Sequence, residues 1–148
     1  MNDFPAPRPA YWLGYLGLLP FVSGAVAVWF GPPSLADWAE RAMLLYAAII
    51  LSFVGAVHWG LAMHSTHSAR DKQLGLSVIP ALVGWLAILL PPSIGFPILI
   101  VSFSVMSGID RQSVLAGVTP AWYPDLRLPL TTVAVFSLGF AWLRLVFG

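Results

Sequence analysis

The chain alternates long apolar runs with short polar gaps. Five runs stand out: 11–30, 42–63, 74–90, 93–109 and 128–147. Four contain no Asp, Glu, Lys or Arg, and the last contains one, Arg144. A bilayer core of about 30 Å takes about 20 apolar residues in a helix. Lipid offers the backbone no hydrogen-bond partner, so such runs must be helices, and they are too long for the alternating strands of a barrel. The pattern predicts an all-α polytopic membrane bundle of about five transmembrane helices, in one domain over residues 1–148. Pro91-Pro92 closes the third run, and Pro97 and Pro129 fall in the first turns of the fourth and fifth. The fourth run is short, and Asp110 follows it as the first residue of the next loop.

Two runs resemble each other. Leu16-Gly-Leu-Leu-Pro20-Phe-Val-Ser-Gly24 aligns with Leu76-Ser-Val-Ile-Pro80-Ala-Leu-Val-Gly84, proline on proline and glycine on glycine. This suggests a parallel hairpin repeat, spans 1–2 and 3–4, with span 5 added. The competing reading is that apolar helices with a central proline look alike. On either reading Pro20 and Pro80 are candidate kinks that free backbone carbonyls at mid-helix. Ser52, Ala56 and Gly60 recur every fourth residue and offer a smooth face for helix contact.

Composition sharpens the picture. Of 148 residues, 59% are hydrophobic and 9% charged, against about 25% charged in soluble domains. A net charge of +1 argues against nucleic acid as a partner, and zero cysteines removes disulfides and thiol chemistry. Arg8, Arg70, Lys72, Arg111 and Arg127 flank one side, and Arg41 and Arg144 the other. The basic side faces inward by the positive-inside rule, so the N-terminus is expected in the cytoplasm and the C-terminus in the periplasm. Trp12, Trp29, Trp38 and Trp142 fall near the expected interfaces. Ala25-Val26-Ala27 imitates a signal-peptide cleavage site, but Pro20 interrupts the run and apolar character continues to Phe30, so the span is expected to be retained.

Candidate chemistry is sparse. No Asp, Glu or Lys is expected deep in a span, which argues against proton-coupled transport and cation channels. His58, Trp59, His64 and His67 form the candidate polar cluster. With Asp71, Asp110 and Asp125 on the same side, the histidines could supply nitrogen and oxygen ligands to a metal. The plainer reading has His64 and His67 as interfacial residues and His58 donating one hydrogen bond to a neighbouring helix. No strict ligand motif is present, so no metal and no cofactor is assigned. Ser52 and His58 share a helix but sit about 240° apart at about 100° per residue, so they form no dyad. Catalytic motifs are absent, and the chain reads as a non-enzyme. The loop ending Trp122-Tyr123-Pro-Asp125-Leu-Arg127 is the candidate interfacial docking segment, with Arg127 anchoring the last helix among headgroups.

Four segments carry a resemblance. Leu16-Gly-Leu-Leu-Pro-Phe, Leu51-Ser-Phe-Val-Gly-Ala-Val-His-Trp-Gly60, Leu76-Ser-Val-Ile-Pro80 and Trp122-Tyr-Pro-Asp-Leu-Arg127 with Leu130-Thr131 resemble, in order and spacing, the uncharacterised family that includes mitochondrial transmembrane protein 69 and its bacterial relatives. The resemblance implies a small helical bundle in a bacterial inner membrane or a mitochondrial membrane, and no activity. The family tolerates other residues at the position of His58. Three functions follow as expectations. The first is a non-catalytic bundle that binds lipid or assembles with another membrane protein. The second is a small-solute transporter or channel on proline-kinked helices, and the third a metal-binding protein through His58, His64 and His67. No oligomeric state follows from the sequence.

Overall fold

A computed structural model shows the chain as helices joined by short connections. It describes residues 8–64, 67–115, 117, 119 and 122–148, the side chains of 64, 67–69 and 72 excepted. The helices are α1 (Arg8–Leu16), α2 (Leu19–Phe30), α3 (Pro33–His64), α4 (His67–Leu89), α5 (Pro92–Leu115) and α6 (Tyr123–Phe147). Four stretches are long and apolar enough to cross a membrane: Arg8–Phe30, Pro33–Met63, Pro92–Leu115 and Tyr123–Phe147. A shorter apolar stretch, Gln73–Leu89, lies in α4.

The central helix is α3, which packs against α2, α4 and α5, while α6 packs against α2 and α5. Its 32 residues span about 48 Å at 1.5 Å per residue, so it outruns the bilayer core. The core gathers Phe21, Met43, Leu51, Phe96, Phe103 and Leu138, each almost fully buried. Phe21 sits edge-on to Tyr46 and Phe103, with ring centroids 5.1 and 6.1 Å away. Large apolar residues such as Phe53, Val101 and Phe136 face outward. In a membrane protein that is the lipid side.

Prolines shape the helices in three ways. Pro33 and Pro92 open α3 and α5, where a missing N–H costs nothing. Pro20 lies in the first turn of α2, and the first span is broken at Gly17-Leu18 rather than kinked at its centre. There the Tyr46 hydroxyl donates to the Gly17 carbonyl at 2.8 Å. Pro97, inside α5, cannot donate to the carbonyl of Ser93 four residues back. The Trp142 indole donates to that carbonyl at 2.9 Å and so ties α6 to α5. Pro80 stays inside an unbroken α4. Pro20 and Pro80 therefore hold unlike places, and the hairpin repeat is not confirmed.

Close helix approach occurs on a different face of α3 from the expected one. Among the described residues no atom beyond its own helix lies within 4 Å of where a Gly60 Cβ would stand, and Ala56 is exposed. Gly55 makes the tight contact instead: a Cβ there would stand 2.6 Å from the Ser77 carbonyl oxygen and 3.1 Å from Pro80 Cγ. Gly84 meets Ala48 in the same α3–α4 seam, and Gly95 of α5 approaches the Ala87 carbonyl of α4. Small residues do bring the helices together, but through this neighbouring stripe.

Candidate functional site

The end of the bundle that holds the α3–α4 and α5–α6 connections contains a buried polar network. His58 lies six residues before the end of α3, and Gln73 lies on α4. Asp110 lies near the end of α5, and Arg127 in the second turn of α6. The His58 Nδ1–H donates to Gln73 Oε1 at 2.7 Å. Arg127 Nε donates to Asp110 Oδ2 at 3.0 Å. His58 Nε2 stands 3.3 Å from Asp110 Oδ1, within ion-pairing range but out of line for a hydrogen bond. His58 is fully buried, Asp110 is 2% exposed and the Arg127 side chain 13%.

The hydrogen-bond partners order the network. A carbonyl oxygen only accepts, so the His58 hydrogen bond places a proton on Nδ1. Nε2 then faces the Asp110 carboxyl, a contact that is attractive when a proton lies between the two. Arg127 and Asp110 pair as opposite charges, with the His58 ring packed against the second carboxylate oxygen. Four helices contribute, each with one side chain, so the network binds one end of the bundle together.

Several expectations change here. Asp110 is no loop residue: α5 runs on through it to Leu115, and the carboxylate turns inward. The expected absence of a buried acid therefore does not hold. Arg127 is largely buried against Asp110 rather than spread among headgroups. Val114 and Leu115 continue α5, so the interfacial segment between the last two helices is shorter than read. Trp59 points away from His58 and is exposed, and Asp71 and Asp125 are exposed as well. His64 and His67 belong to α3 and α4, but their side chains lie outside the described residues. Among the described residues no group of three or more His, Asp or Glu is placed to hold a metal. Gln73 escaped the sequence reading because it sits beside Arg70-Asp71-Lys72 and reads as loop; nothing in its immediate neighbours marks it as buried.

Beside the network lies a cleft of about 440 Å³. Its walls are α1 and α2 (Leu13, Gly14, Phe21), α3 (Phe53, Val54), Phe103 of α5, and a long strip from Trp122 along α6 to Ala134. Leu13 and Phe53 on its rim are exposed, so the cleft opens sideways between α1 and α3, toward lipid. Tyr123, Arg127 and Thr131, four residues apart, share one face of α6 and supply its polar wall. Pro20 lines a separate, smaller cleft of about 220 Å³ with Trp38 and Met43. Pro80 instead packs on Gly55. The two prolines thus sit in different places, one beside a cleft and the other in the α3–α4 seam.

Comparison with known proteins agrees with the resemblance. Residues 6–143 match the family described as protein of unknown function DUF3429. The chain is 37% identical over 135 residues to transmembrane protein 69 of Xenopus tropicalis, covering 90% of this chain and 53% of that protein. It is 26% identical over 134 residues to transmembrane protein 69 of Mus musculus, covering 89% and 54%. The chain thus spans about half the length of these curated relatives. No solved structure matches it. A multi-pass helical bundle whose matched segment takes in His58, Gln73, Asp110 and Arg127 belongs to the DUF3429 family of membrane proteins of unknown function.

Proposed function

We propose that this protein is a non-catalytic, lipid-binding membrane bundle that holds a single apolar chain in the lateral cleft. The observation that carries the reading is the cleft itself. It is lined almost wholly by apolar side chains, opens sideways and measures about 440 Å³. That volume lies near the small end of small-molecule sites, at roughly 300–1,000 Å³. It suits one chain better than a whole phospholipid. Burying a chain contributes about 0.8 kcal/mol per methylene. The bundle sits in a bacterial inner membrane or its mitochondrial counterpart, with the Arg- and Lys-richer end facing inward.

Native mass spectrometry of the protein released from lipid nanodiscs tests this reading. The expected result is a retained single-chain adduct that is lost in Val54→Trp and Ala134→Phe, which fill the cleft from opposite walls. Bare protein under conditions that preserve the fold, or an adduct untouched by both substitutions, overturns it.

A further inference from the structure

Two buried polar groups in the cleft wall have no partner among the described residues: Arg127 Nη2 and Thr131 Oγ1. The threonine is the more telling. A hydroxyl in an apolar helix ordinarily turns back to the carbonyl four residues earlier. Its neighbour Thr132 does so with Leu128 at 2.8 Å, as do Ser23, Ser52, Ser102 and Ser104 on the other helices. Thr131, 6% exposed, does not. Arg127 spends its Nε on Asp110 and keeps Nη2 over. A buried donor left without its hydrogen bond is costly, so two on one cleft wall mark a place for an acceptor.

We infer that the cleft takes a long-chain carboxylic acid, with its carboxylate on Arg127 and Thr131 and its chain running inward past Phe21 and Ala134. This rests on the lipid-binding reading and adds the head to the chain. Charge selects the carboxylate. Arg127 is the one charged residue among those that line the cleft, and its unpartnered Nη2 meets a carboxylate with the opposite charge. A guanidinium donates only, so the head must accept, and planar oxygens match its geometry. Depth agrees as well. Arg127 lies near the start of α6, where the helix enters the membrane, and Ala134 lies about 10 Å further in at 1.5 Å per residue. Head and chain thus meet polar and apolar walls in the order in which an amphiphile crosses the bilayer surface.

Electron paramagnetic resonance with nitroxide-labelled stearic acid and its methyl ester, on protein in phosphatidylcholine nanodiscs, tests the assignment. The motionally restricted fraction should favour the acid over the ester about tenfold or more. Thr131→Val should weaken that preference. Arg127→Gln combined with Asp110→Asn, which removes the buried charge pair together, should abolish it while the ester binds as before. Equal restriction of acid and ester overturns the carboxylate assignment and leaves the lipid-binding reading standing. Restriction of neither label, or restriction unchanged in Val54→Trp, overturns both. A preference for the acid that survives both polar variants overturns the assignment to Arg127 and Thr131.

Discussion

At the scale of single residues, buried charges succeed or fail by their partners. Asp110 is held between Arg127 and His58, and an unpaired charge left behind in such a place costs about 3–5 kcal/mol. Asp110→Ala should therefore destabilise the bundle by about that amount, with Arg127→Gln in the same background recovering part of it. Thermal unfolding in detergent, followed by circular dichroism, reads both. Glycines give a second contrast. Gly55→Ala drives a methyl into the backbone of α4 and should cost about 1–3 kcal/mol. At Gly60→Ala the new methyl meets no described atom beyond its own helix and should stabilise α3 by about 0.5–1 kcal/mol. His58 was legible in the sequence because it interrupts an apolar run. Asp110 was not, because hydropathy drops at Asp110-Arg111-Gln112 and a falling profile looks like the end of a helix. Only the contact with Arg127, 17 residues away, shows that the helix continues and turns its acid inward.

At the scale of elements, position along the helix decides what a proline does. Pro97 leaves the Ser93 carbonyl without its helical donor, and a tryptophan from another helix replaces it. Trp142→Phe keeps the ring and removes the donor. It should cost about 0.5–1.5 kcal/mol and speed hydrogen exchange in the first turns of α5 more than elsewhere. Trp29 makes a similar link, donating to the Phe140 carbonyl at 2.7 Å and stacking on the Phe140 ring. Both tryptophans read in the sequence as residents of the membrane interface; their role as ties between helices required knowing which helices are neighbours. The existence of the helices was legible from apolar run length alone. Their true ends were not, since polar residues at the ends of α3, α4 and α5 are helical but outside any apolar window.

At the scale of the whole molecule, one end of the bundle holds the buried polar network and the core elsewhere is mainly apolar. Orientation can be tested directly because the chain has no cysteine of its own. With the basic end inward, Ser34→Cys should react with a membrane-impermeant maleimide in intact bacteria, and Asp125→Cys only after permeabilisation. Both positions are exposed. The reverse pattern would invert the topology. The membrane class and the four to five apolar stretches came from composition and run length; the break of the first run into α1 and α2 did not. The lateral cleft did not, because its walls are drawn from α1, α2, α3, α5 and α6 and no local pattern announces a gap between them.

The four-helix network also constrains the order in which the protein is made. His58 and Gln73 leave the ribosome before Asp110, and Arg127 comes last. When α5 enters the membrane, the imidazole that faces its carboxylate is already in place, but the guanidinium is not. A lone Asp at the centre of an inserting helix costs about 2.5–3.5 kcal/mol on insertion scales, and less toward its end. Biogenesis therefore meets its least favourable moment between the fifth helix and the sixth. Chains truncated just before Arg127 should be held longest at the insertion machinery.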